Sequence, residues 1–125
     1  MPPDSESRLR LIKATRICAW FLAALIVVLS LVPSWLRPVT GPPHEVEHFA
    51  IFALTGLAFG VGYRPRFQLA IELVLFAGAV ELAQLFASGR HARVSDFIVD
   101  ALAALVGLPA AALARAGYSR PAVNR

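Results

Sequence analysis

Few of the 125 residues are charged: Asp, Glu, Lys and Arg together make up 16% of the chain, where an ordinary soluble domain has roughly a quarter. Cysteine is scarcer still. The lone Cys18, set in the apolar stretch Ile17-Cys18-Ala19-Trp20, excludes an intrachain disulfide and reads as a small hydrophobe, not a nucleophile. There is no internal repeat and no low-complexity linker, and 13.5 kDa is too little for two ordinary domains. What fills the sequence is apolar. The set AVILMFWYC accounts for 58% of residues and the mean hydropathy is +0.65, which leaves too little polar surface to cover a water-soluble globule of this size. A disordered tail, a nucleic-acid module and a disulfide-stapled secreted domain are thereby excluded. The net charge of +4 and pI near 10.2 would ordinarily point to an anionic partner, but here the placement of charge matters more than its sum. The partner this composition calls for is a lipid bilayer.

Four stretches supply the spans. Residues 1–16 form a basic segment with Arg8, Arg10, Lys13 and Arg16, and from Ile17 to Leu36 no residue is charged. Those 20 residues rise about 30 Å as a helix, the thickness of a hydrocarbon core. The apolar run is too long for a signal peptide and ends at Pro33-Ser34-Trp35, a poor cleavage site, so it reads as an uncleaved first span. A Pro-rich turn follows. The second span is Phe49 to Tyr63, extended back to His44, and Arg64-Pro65-Arg66 makes a tight break. The third runs from Phe67 to Phe86. The fourth runs from Phe97 to about Leu113 behind Ser95 and Asp96, a natural N-cap pair, and a polar tail from 114 to 125 is expected to fray.

The N-terminal segment, the 64–66 loop and the tail hold four, two and three Lys/Arg, nine in all. The two loops on the other side hold Arg37 alone, and Arg90 with Arg93, three in all. By the positive-inside rule both termini are cytoplasmic. The expected architecture is an all-α integral membrane bundle of four transmembrane helices, N-in and C-in.

That topology gathers the polar residues at the outer face: His44, Glu45, Glu47 and His48 on the second helix, Glu81 and Gln84 on the third, Arg90, His91 and Arg93 in the loop, Asp96 and Asp100 on the fourth. Intramembrane carboxyls are costly and face partners or water. Glu81 and Gln84 share a helical face, as do Asp96 and Asp100, and a stripe of small residues (Ala103, Ala104, Gly107, Ala111) below Asp100 should turn it into the bundle. Glu72 points away from Glu81 and should pair with Arg64 or Arg66, or reach the inner interface. Gly56 and Gly60 form a small-xxx-small pair that would let another helix approach closely, a route to a homo- or hetero-oligomer. Arg90 and Arg93 would snorkel to lipid phosphates, pair with Glu81 or Asp96, or bind a phosphorylated headgroup.

His44-Glu45-Val46-Glu47-His48 reads H-E-x-x-H, in which two His bind zinc and Glu is the general base. Here it follows Pro42 and Pro43, on a first helical turn, and a third ligand would have to come from Glu81, Asp96 or Asp100. Without zinc, His48 would hydrogen-bond a carboxyl of a neighbouring helix.

Taken in order, His48-Phe49, Glu81-x-x-Gln84, Gly89-Arg90, Asp96, Asp100 and Gly107 resemble the VanZ-like family of small bacterial multi-pass membrane proteins, named for a teicoplanin-resistance protein. The resemblance spans roughly His44 to Leu113. Many members carry Lys near the position of Glu45, Asn at that of Asp100 and Gly near Ala104, so the H-E-x-x-H string is a peculiarity of this chain. The resemblance implies a cell-envelope setting in the bacterial inner membrane. The expected function is recognition of an anionic lipid or phosphorylated envelope precursor by a cluster of His48, Glu81, Gln84, Arg90, Arg93, Asp96 and Asp100, without cofactor, tied to glycopeptide-type resistance or envelope homeostasis. A zinc hydrolase built on His44 and His48 is the enzymatic alternative; a small transporter or complex subunit associating through Gly56 and Gly60 is the third.

Overall fold

A computed structural model gives the fold and describes residues 4–36, 41–87 and 92–119. The chain forms four helices, α1 (Ser5–Leu31), α2 (His44–Tyr63), α3 (Phe67–Gln84) and α4 (Val94–Ser119), with a single 3-10 turn at Ser34–Leu36. No strand occurs among the described residues. All four helices are long and apolar enough to cross a membrane. The all-α, four-span bundle expected from composition is the one observed.

Three helices differ in their bounds from the sequence reading: α3 ends at Gln84, two residues before Phe86, and α1 and α4 differ at both ends. The first helix begins at Ser5, not near Ile17. Asp4 caps it by accepting a hydrogen bond from the Ser7 amide at 3.0 Å, and Glu6 pairs with Arg10 one turn on at 2.5 Å, so the basic segment is wound into the helix. It stops at Leu31 because Val32 precedes Pro33. The ring of a proline pushes its predecessor out of the helical region, and Val32 is extended at φ −63°, ψ 134°. The fourth helix runs from Val94 to Ser119, which takes Ser95 and Asp96 into its first turn instead of leaving them as caps, and carries regular structure through the start of the tail.

The most extensive packing is between α2 and α4, which run parallel because one span lies between them. Their backbones touch. A Cβ at Gly56 would overlap the carbonyl of Ala104, and one at Gly107 would overlap the amide of Leu57 and the carbonyl of Ala53. At Gly60 it would meet the Ala111 side chain. The expected stripe is buried as drawn, with Asp100, Ala103, Ala104, Gly107 and Ala111 against α2 and the core. Gly56 and Gly60 are thus occupied by α4 of the same chain. An oligomer would have to use another face. The α1 helix contributes Ala19, Ala23, Ile26 and Ser30, spaced four, three and four apart, as its buried stripe. The outer surface is strongly apolar, with Phe21, Leu75, Leu82, Leu102 and Leu113 each more than half exposed, as suits a lipid solvent.

Alternating helix directions sort the charges. One end carries Glu45, Glu47, Glu81, Asp96 and Asp100 with Arg93; the other carries Arg8, Arg10, Lys13, Arg16, Arg64, Arg66 and Arg115.

Candidate functional site at the acidic end

Three helices bring the expected residues together at the acidic end. On α2, His48 lies one turn in from Pro43, and its ring Nδ1 is 3.2 Å and 3.4 Å from the two carboxyl oxygens of Asp100 on α4. Asp100 is fully buried. The pairing is fixed by the parallel register of α2 and α4, which the glycines set by letting the backbones close. Below it, the His48 ring stacks on the buried Phe52 with centroids 6.3 Å apart, and Phe52 meets Phe76 of α3 at 6.2 Å. The His48 ring thus has an apolar floor, with the Asp100 carboxyl and the His44 ring as polar neighbours.

On α3, Glu81 and Gln84 are both buried, three residues apart on one face. Glu81 Oε1 accepts a hydrogen bond from the Arg93 backbone amide at 2.6 Å, immediately before α4 begins. A carboxyl at this position satisfies an amide outside the helical ladder and complements the positive end of the helix dipole. Glu81 therefore ties the end of α3 to the start of α4. Its second oxygen, Oε2, and the amide Nε2 of Gln84 are buried with no hydrogen-bond partner among the described residues. Buried polar atoms are nearly always satisfied, so an acceptor and a donor left open on adjacent positions are a local anomaly. Asp96, half-buried in the first turn of α4, adds a further carboxyl.

Of the expected cluster, His48 and Asp100 are in contact, Glu81 contacts the Arg93 backbone, and Gln84 lies beside Glu81. The Arg93 residue is exposed. Arg90, like His91 and Arg37, lies outside the described residues. The rings of His44 and His48 are 4.2 Å apart, as H-E-x-x-H spacing requires. Even so, no three His, Cys, Asp or Glu side chains converge on a metal position among the described residues. His48 directs its ring Nδ1 to Asp100, a carboxyl of a neighbouring helix. Glu72 is at the opposite end, where its Oε1 accepts from Gln68 Nε2 at 2.9 Å; it forms no ion pair with Arg64 or Arg66 among the described residues.

At the basic end the sequence reading took the Lys and Arg residues as topology signals, with Arg64 or Arg66 as a partner for Glu72, and missed the contacts of Arg16 and Trp20 with the end of α2. The signal was present: Arg16 and Trp20 are four apart on α1, and Tyr63-Arg64-Pro65-Arg66 puts an aromatic and two guanidinium groups around one turn.

No protein-family model, no curated protein and no solved structure matches the chain.

Proposed function

We propose that this chain is a VanZ-like protein of the bacterial cytoplasmic membrane with both termini inside, and that its acidic end binds the headgroup of an envelope lipid or lipid-linked precursor. The order of His48-Phe49, Glu81-x-x-Gln84, Gly89-Arg90 and Asp96 supports the family, and the excess of Lys and Arg on one side supports the orientation. The observation that carries the ligand reading is the open pair at Glu81 Oε2 and Gln84 Nε2. A hydroxyl donates one hydrogen bond and accepts others, so a sugar or glycerol group satisfies a carboxyl oxygen and an amide together. In this reading Arg90 and Arg93 supply guanidinium groups for the phosphate that links such a headgroup to its lipid.

Gln84→Leu tests it. Without a ligand, an unpartnered buried donor only destabilises the fold, and an apolar side chain of similar size is neutral or stabilising. The expected outcome is unchanged or raised protein level and thermal stability, with loss of envelope-drug tolerance in cells. His48→Ala, Glu81→Ala, Arg90→Ala and Asp96→Ala, scored for protein level and drug sensitivity separately, complete the set. Retained tolerance in Gln84→Leu and Arg90→Ala at normal protein level would overturn the proposal.

A further inference from the structure

The basic end holds a second polar assembly that the proposed function does not use. Arg16 donates from Nε to the Gly62 carbonyl at 2.8 Å and lies over the Tyr63 ring, 4.6 Å from its centroid. One turn on, Trp20 donates from Nε1 to the Tyr63 hydroxyl at 2.9 Å and meets Phe59 edge-on at 5.3 Å. These side chains, with Arg64, Arg66, Gln68 and Glu72, line a cavity of about 310 Å³ between α1, the end of α2 and the start of α3. Three guanidinium groups border it against one carboxylate, and that carboxylate is held by Gln68.

The arginines of this end divide by what they touch. Arg8, Arg115 and Arg16 donate to the carbonyls of Tyr118, Val61 and Gly62, last-turn acceptors of α4 and α2 that have no intrahelical donor. Arg10 pairs with Glu6. The guanidinium groups of Arg64 and Arg66, both on the cavity wall, have no acceptor among the described residues. Arg64 also sits at φ 68°, ψ 137°, the single positive φ outside glycine among the described residues. That conformation belongs essentially to glycine. Beside it α3 begins without a side-chain cap, which adds the positive end of a helix dipole. The flank next to the cavity is apolar and open, with Phe67 83% and Trp20 61% exposed, as at an interface where acyl chains meet headgroups.

We propose that this cavity binds the phosphate of an anionic lipid headgroup, with Arg64 and Arg66 as its guanidinium forks and the Trp20–Tyr63 pair bordering the glycerol. The apolar flank favours a lipid over a soluble phosphate. Native mass spectrometry of the full chain in mild detergent, with phosphatidylglycerol or phosphatidylcholine of equal chain length, tests this. Phosphatidylglycerol should be retained in preference, and Arg66→Gln and Arg64→Gly should each lower its retention about fivefold. Lys13→Gln, a basic residue away from the cavity, should leave it unchanged. Arg64→Gly should melt no lower than the wild type, because glycine suits that backbone, so its binding loss would not be a folding loss. Equal retention of the two lipids, or an equal loss in Lys13→Gln, would overturn the proposal in favour of diffuse surface charge. Displacement of the lipid by inorganic phosphate at equal concentration would overturn the lipid as occupant.

Discussion

His48 and Asp100 form the most consequential side-chain pair in the molecule, because one partner has no exposure at all. A buried carboxyl deprived of its partner is costly, typically about 3–5 kcal/mol, whereas replacing both members with apolar groups is far milder. His48→Leu should therefore lower the melting temperature in detergent more than Asp100→Asn, which keeps shape and hydrogen-bonding capacity. His48→Leu combined with Asp100→Leu should recover much of the loss; equal melting of all three variants would mean the pair holds nothing. The sequence pointed to a carboxyl partner for His48 but not to Asp100 in particular, since Glu81, Asp96 and Asp100 all reach the same end. Only the parallel register of α2 and α4 decides among them, and register depends on close backbone approach, which no residue spacing reports. At the water-exposed start of α1, hydrogen bonds from the Ser7 side chain and then its amide hold the Asp4 carboxyl below the ordinary value of 3.8. A depressed carboxyl in the folded helix means protonation favours the frayed one. The cap is intact above that ordinary value and is lost as pH falls through the folded one. Amide exchange at Ser7 and Arg8 should speed up over that acid window, and Asp4→Asn should remove the dependence.

At the scale of elements, α2 and α4 pack backbone on backbone, and the glycines at the contact have no room for a methyl group. Gly56→Ala and Gly107→Ala should each destabilise the fold by about 1–3 kcal/mol, the usual cost of overpacking. Gly117→Ala, with nothing within 4 Å, should be neutral or slightly stabilising. Thermal unfolding of the three variants in one detergent separates them; similar melting of Gly56→Ala and Gly117→Ala would contradict the close contact. The small-xxx-small pair Gly56/Gly60 announced a helix contact, yet the sequence left open whether the partner was this chain or another. The same limit applies to α1. Absence of charge marked where its apolar run lies, but charge does not stop a helix whose first turns carry exposed Arg10 and Lys13. The helix boundary is set by the Asp4 cap and by Pro33, local backbone effects that a hydropathy window averages away.

At the scale of the molecule, charge has been sorted by topology. Each end unites the start of one pair of helices with the finish of the other, so an acidic α2 start, an acidic α4 start and the Glu81 turn share one surface, while seven Lys and Arg among the described residues share the opposite one with Asp4, Glu6 and Glu72. Inserting the chain the other way would carry the basic residues across the membrane, and each cation near a surface of anionic lipid is worth about 1 kcal/mol. The arginines also close the carbonyl ends of α2 and α4, so in the proposed orientation the charge bias and the folding contacts favour the same arrangement. A fluorescent protein that matures only in the cytoplasm, fused after Arg125, should fluoresce, and a phosphatase active only outside should be silent there and active when inserted at Gly41. Reversal of charge sharpens the test: Arg64→Glu with Arg66→Glu, plus two lysines inserted at Gly41, narrows a nine-to-three bias to seven-to-five and should yield a mixed population. If the unaltered chain already reported equally from both sides, the two ends would exchange compartments from copy to copy, and neither the acidic cluster nor the arginine cavity could serve a single leaflet.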